Sequence, residues 1–308
     1  MKKSFFALLS LLLLTACGGK KVSDNWLKSD DVHIAVDETF FPIMEEQLAQ
    51  FALTYPEAEV KSFYCSEDSA INLLLKDSLR SVVITRKLSD KEKEIIKSHT
   101  LSAMESLIAT DAFALVVNKN SPDTTITLNE LKGIANGTIT RWEQIKYAKR
   151  KGEIKLVFDH SGSSTVRWMK DSLCGGKDLK GNVFAQGSAK EVLKAVQERE
   201  DIIGVVGADW LRDKDTVLTS YSHLPYNVML VSRGEGSYHR RPYQYYIATG
   251  EYPLTRSVYA ITTDPRTRSQ EKYLFFWLKG QKGQLIFVKN SQLLPYMQVQ
   301  VRDVKITN

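Results

Sequence analysis

Short runs rich in β-branched and aromatic residues alternate along this chain with helical segments that open at recognisable caps. No other feature constrains the fold as much. Residues 32–36, 60–65, 81–85, 112–117, 154–158, 202–206, 228–232 and 258–262 read as strands. Between them, Ser89 with Glu92, Thr127 with Glu130 and Ser188 with Glu191 have the spacing of capping boxes. After Thr127, Leu128, Leu131 and Ile134 share one helix face, and Asn136-Gly137 ends the run. After Ser269, the residues Tyr273, Leu274, Phe276, Trp277 and Leu278 predict a strongly apolar helix. Strands and helices taken in turn build an α/β fold with mostly parallel sheets, here expected in two lobes. A chain of 308 residues, 43% hydrophobic and 25% charged, can fill such cores, which excludes a disordered or fibrous chain.

The first residues follow a different rule. Lys2 and Lys3 precede an apolar stretch over residues 5–14, too short to span a bilayer and of the length of a signal-peptide core. Leu14-Thr15-Ala16-Cys17 then has the form of a lipobox, so residues 1–16 are expected to be a signal peptide and Cys17 the lipidated first residue. Several acyl chains on one residue make a stable anchor, each buried methylene contributing about 0.8 kcal/mol. Residues 17–29 are expected to be a tether, with the folded part outside the cytoplasm. Lys2 and Lys3 supply two of the net +6 charges, and the remainder is too dispersed to indicate nucleic acid. Cys65 and Cys174 are expected as buried inert thiols; an oxidising compartment leaves a bridge open as the alternative.

In open α/β sheets ligands sit beyond the carboxyl ends of strands, where helix N–H groups suit anions. Four such junctions stand out. Asp37-Glu38-Thr39-Phe40-Phe41-Pro42 offers Thr39 as an N-cap, with Pro42 in the first turn. Ser66 opens a helix and has a hydroxyl to donate, although Glu67 and Asp68 next to it repel anions unless they point away. Arg86 follows the strand at 81–85, placed either to fork onto an oxyanion or to form a structural ion pair. The most telling junction is Asp159-His160-Ser161-Gly162-Ser163-Ser164-Thr165-Val166-Arg167. Ser163, Ser164 and Thr165 present successive hydroxyls at a helix start, and Arg167 adds charge.

Asp159, His160 and Ser163 also invite a serine-hydrolase reading, acting on phosphate or acyl esters. Triads are assembled from separate elements, however, and no G-x-S-x-G elbow or H-E-x-x-H motif occurs. Gly175-Gly176-Lys177 lacks the upstream glycine of a P-loop. No enzyme activity, metal or cofactor is therefore expected.

With these residues in view, the chain resembles the phosphate-binding proteins of phosphate ABC transporters, in their lipoprotein form. The resemblance runs in order through Asp37-Glu38-Thr39-Phe40, the Ser66 helix start, Thr85-Arg86-Lys87-Leu88 and residues 109–118. It continues through residues 131–139 with Trp142, then Ser163-Ser164-Thr165, residues 202–207 and Tyr252-Pro253-Leu254-Thr255-Arg256. It implies a two-lobe type II periplasmic-binding-protein fold, each lobe a mixed, mostly parallel sheet flanked by helices. Residues 30–112 plus 225–308 would form lobe 1 and residues 113–224 lobe 2, with hinge crossings near residues 111–118 and 221–232. Inorganic phosphate, or a related oxyanion, would be held between the lobes and delivered to a membrane permease by a monomer. A sensing or adhesion lipoprotein retaining the fold is the other reading. The implied contacts are Thr39, Phe40 through its backbone, Ser66, Arg86 and Ser163 to Thr165. The chain departs from the family's Ser-Gly-Thr at Ser164 and has Asp159 where an arginine is usual, leaving Arg167 to supply charge. A proton acceptor, needed to tell protonated phosphate from sulfate, is sought among Asp37, Glu38 and Asp159.

Overall fold

The computed structural model describes residues 31–212 and 220–299. The expected signal peptide, the tether and the lipidation site Cys17 lie outside the described residues. The strands are β1 (Val32–Asp37), β2 (Val60–Cys65), β3 (Ser81–Ile84), β4 (Met104–Asn118), β5 (Thr125–Thr127), β6 (Lys155–Phe158), β7 (Val183–Ala185), β8 (Ile202–Gly207), β9 (Tyr226–Val228), β10 (Leu230–Ser232), β11 (Thr255–Thr262) and β12 (Leu294–Pro295). The helices are α1 (Phe41–Thr54), α2 (Glu67–Leu75), α3 (Asp90–Ser98), α4 (Leu128–Ala135), α5 (Ser164–Trp168), α6 (Ala189–Glu198), α7 (Gln244–Ala248), α8 (Gln270–Lys279) and α9 (Gln281–Asn290).

The main sheet runs β2-β1-β3-β11-β4-β8-β6-β7, with β9 and β12 also on β4. The two ends of this path are parallel: β2, β1 and β3 on one side, β8, β6 and β7 on the other. Antiparallel β11 and β4 join them. The central strands β3 and β8 are buried along their whole length because helices cover both faces, which is why their sequences are continuous apolar runs.

The fifteen-residue β4 belongs to both lobes. Met104 to Ala112 pair with β11, whereas Phe113 to Val116 pair with β8. The cores divide at the same place. Ile108 and Ala109 pack with Val36, Phe51 and Trp277, whereas Phe113 and Leu115 pack with Phe158, Ile203 and Trp142.

Some expectations shift. Strand β4 starts eight residues before the expected position 112, because in its first half polar Glu105, Ser106, Thr110 and Asp111 flank the short apolar run Leu107-Ile108-Ala109. The strand expected at 228–232 splits at Met229: β9 pairs with β4 and β10 with β5. Met229, Val231, Tyr252 and Leu254 therefore pack in the second lobe's core. These four residues, expected in lobe 1, thus share a core with Phe113 and Leu115. Ser89 and Thr127 form reciprocal capping boxes; Ser188 accepts from the Glu191 N–H without the return bond. Cys65 and Cys174 are both free; Cys174 is buried as expected but Cys65 only half-buried, and desolvation raises both thiols, Cys65 to about 11.

Candidate anion site between the lobes

Strand β1 delivers Asp37 to the cleft, fully buried. Its carboxylate Oδ1 accepts from the Thr39 N–H at 2.9 Å, so Asp37, not Thr39, caps the short turn before α1. The Thr39 hydroxyl is thereby left over, with no hydrogen-bond partner, and so is Asp37 Oδ2. Burial pushes the Asp37 carboxyl above its ordinary value, against the opposing charge of Arg256.

Arg256 is the centre of the arrangement. It faces Asp111 across the β11–β4 register, and its Nε donates to Asp111 Oδ2 at 2.8 Å. Its Nη1 donates to the Ser164 hydroxyl at 2.8 Å, and its Nη2 has no partner. The guanidinium lies over the rings of Phe40 and Phe113, 5.5 and 5.7 Å from their centroids. Aromatic faces hold a guanidinium by cation–π attraction while leaving its edge free to donate. Asp111 is pushed up to about 6 by burial, with Arg256 opposing.

The second lobe contributes the loop after β6. Ser163 caps α5 by accepting from the Val166 N–H at 3.3 Å. Ser164 and Thr165 are buried in the first turn of that helix. Trp168 fixes α5 on the crossing strands: its Nε1 donates to Thr255 O at 3.1 Å and its ring meets Phe113 edge-on. The helix continues as a π-turn and ends at Gly175 and Gly176, whose φ of 64° and 79° other residues rarely adopt.

The cluster therefore gathers Asp37, Thr39, Phe40, Ser163, Ser164 and Thr165 from the predicted set, plus Arg256 and Asp111. Among the described residues, three orphaned buried polar groups sit here: the Thr39 hydroxyl and Arg256 Nη2 can donate, and Asp37 Oδ2 can accept. Buried polar groups without partners are rare and costly. This trio matches an anion that also carries a proton.

Other predicted residues are engaged elsewhere. Arg86 forks onto Glu92 at 2.7 and 2.8 Å, the structural ion pair weighed against a ligand contact. Ser66 caps α2, accepting from the Ser69 N–H and donating to the Ser69 hydroxyl. Arg167 binds Glu67 and Thr85. Glu38 lies 2.7 Å from His160 Nε2, and Asp159 accepts from the His160 backbone N–H. Asp159, His160 and Ser163 thus form no serine–histidine–carboxylate chain. Sequence reading missed Arg256 and Asp111 as site residues. The available signal was a charged residue just before each of two expected strands, Asp111 ahead of 112–117 and Arg256 ahead of 258–262. Among the described residues, no group of three His, Cys, Asp or Glu is placed to hold a metal.

Known proteins share the fold. A family model described as a PBP superfamily domain matches residues 23–278. The protein SphX of Synechococcus elongatus is 21% identical over 179 residues, 57% of this chain and 53% of its own length, so about half of that protein is matched. The phosphate-binding protein PstS of Pseudomonas aeruginosa is 20% identical over 83% of this chain and 80% of its own. Among solved structures, one from Clostridium perfringens, assigned as a phosphate ABC transporter substrate-binding protein and solved with bound phosphate, is 20% identical. It superposes with a TM-score of 0.69 over 87% of this chain and 100% of that one. An ABC-type phosphate transport receptor from Vibrio cholerae, 21% identical, gives 0.62 over 84% of this chain and 97% of its own.

Proposed function

This chain belongs to the PBP superfamily, and we propose that it captures inorganic phosphate between its lobes and hands it to the permease of an ABC transporter. The observation that carries this reading is the buried trio of Thr39 Oγ1, Arg256 Nη2 and Asp37 Oδ2, which lack partners within the protein. Arg256 supplies the charge and one arm of its fork, Thr39 a hydroxyl, and the start of α5, with Ser163 to Thr165, further donors. A handful of charge-assisted hydrogen bonds at about 1.5–3 kcal/mol each offsets ordering costs and leaves micromolar affinity.

Asp37 serves as the proton acceptor. All three candidate carboxylates accept a hydrogen bond or ion pair through one oxygen, but of the three only Asp37 has its second oxygen buried without a partner. Protonated phosphate donates to it; sulfate, which has no proton to give, meets a buried carboxylate oxygen and is repelled. The names of the relatives support the substrate and the transport partner. The N-terminal lipobox supports a chain tethered through Cys17 on the extracytoplasmic side of a membrane. No helix among the described residues is long and apolar enough to cross one.

Calorimetric titration with phosphate, arsenate and sulfate tests the reading, with Asp37→Asn beside the wild type. Phosphate and arsenate should bind and sulfate should not. In Asp37→Asn the preference for phosphate over sulfate should narrow by at least about tenfold, the loss of one charge-assisted hydrogen bond. Silence with all three anions would overturn the proposal.

A further inference from the structure

The hydroxyl loop is bracketed by two basic side chains that stand outside the anion cluster. At its start, His160 Nε2 lies 2.7 Å from Glu38 Oε1. Past its end, Arg167 Nε lies 2.5 Å from Glu67 Oε2, and its Nη2 donates to Thr85 Oγ1 at 2.7 Å. Both side chains belong to the second lobe. Glu38, Glu67 and Thr85 belong to the first and immediately follow β1, the Ser66 cap of α2, and β3.

The contact at Glu67 is the more elaborate. Its side chain is 1% exposed, and its Oε1 accepts both the Thr85 N–H at 2.7 Å and the Thr85 hydroxyl at 2.6 Å. Thr85 thus passes its proton toward Glu67 and takes a hydrogen bond from Arg167, closing a three-membered ring across the cleft. Burial acts to raise the Glu67 carboxyl, yet the Arg167 charge and these hydrogen bonds hold it below its ordinary value.

We propose that Arg167, Glu67 and Thr85 form a clasp that holds the lobes shut over the anion. Arg167 is then a positioning residue acting through closure, and Glu67 strengthens anion binding despite its negative charge. Opening the cleft separates Arg167 from Glu67 and Thr85 and leaves it only Asp171, 3.4 Å away in its own lobe, so the cross-cleft bonds exist only in the closed form and shift the population toward it. An anion enclosed in this way leaves only after the clasp opens, so the effect appears chiefly in the dissociation rate.

The sign of one substitution separates this from simple electrostatics. Glu67→Gln removes a negative charge near the anion, which by Coulomb's law alone tightens binding; a weakened clasp loosens it. The inference rests on the cleft being an anion site, and the test keeps the two apart. The full chain carries a dye pair, one dye on each lobe, and phosphate is titrated by calorimetry and by stopped-flow dissociation. Wild type, Glu67→Gln, Arg167→Gln and the double variant are compared.

Glu67→Gln should bind phosphate about tenfold more weakly through faster dissociation. The double variant should match Arg167→Gln within about twofold, as for two members of one interaction, and the closed fraction should fall in all three. Unchanged or tighter binding by Glu67→Gln overturns the clasp. So does an affinity loss in Arg167→Gln with the lobes closed as before, which would make Arg167 a ligand contact. If the wild type binds no phosphate, the anion reading fails on its own and the dye pair still decides. A closed fraction equal in wild type and Glu67→Gln counts against the clasp, and a lower one in the variant supports it. Should Glu67→Gln not fold, Arg167→Gln, whose side chain is partly exposed, gives the same readouts.

Discussion

At the residue scale the molecule turns on a few ionisable side chains in dry surroundings. Arg256 satisfies Asp111 and Ser164 with two of its donors and holds a third toward the cleft. A lysine there keeps the charge and loses the fork. Arg256→Lys should therefore weaken phosphate binding by about 10–100-fold in calorimetry, the range of one charge-assisted hydrogen bond, while the protein stays folded. Glu271 shows the opposite economy far from the cleft. Burial lifts its carboxyl from 4.5 to about 7, although Ser81 and the His33 N–H donate to it. Between those two values the folded protein holds a proton that the unfolded chain has released, so stability falls as pH rises through that window. The melting temperature of Glu271→Gln, measured against wild type, should be close to it near about pH 4 and exceed it increasingly toward about pH 8. A constant offset would contradict the assignment. Asp37, Thr39 and the hydroxyls of 163–165 were legible in the sequence because they sit at strand-to-helix junctions. Arg256 was not, because its role depends on which strand lies opposite.

Elements position these side chains by close approach. Strand β8 ends at Gly207, where a Cβ would come within 2.5 Å of Thr39 Cγ2. Its φ is ordinary, so the glycine is there for space and not for backbone freedom. The adjoining Trp210 donates through Nε1 to Thr39 O at 3.0 Å and stacks on Phe41, so the two lobes meet here. Gly207→Ala should wedge this contact open. The expected result is weaker phosphate binding with a melting temperature of the unliganded protein within a few degrees of wild type, about the shift for 1 kcal/mol. An unchanged affinity would show that Thr39 can move freely. The capping boxes at Ser89 and Thr127 were legible because their reciprocal bonds are local. For the same reason Arg86 was ambiguous: its partner Glu92 is six residues away on the next helix, and spacing alone does not rank that pair against a ligand.

Across the whole molecule, β4 is a shared structural member. Its two halves pair with different strands and enter different cores, so neither lobe can lose its sheet without disturbing the other. Calorimetric unfolding should show one transition. Phosphate at a hundred times its dissociation constant should stabilise that transition by about 2.7 kcal/mol. Two separate transitions, only one of them raised by phosphate, would mean that the lobes unfold independently. The alternation of strand and capped helix, the hydroxyl-rich junctions and the N-terminal lipobox are local patterns, set by residues within a turn or two of one another, and the sequence by itself determined them. Which strand crosses between lobes, where Met229, Val231, Tyr252 and Leu254 pack, and that Arg256 meets Asp111 and Ser164 were decided only by tertiary structure. The contacts of Arg256 join residues 145 and 92 positions apart, brought together by the burial of whole apolar faces, which any one segment leaves unspecified.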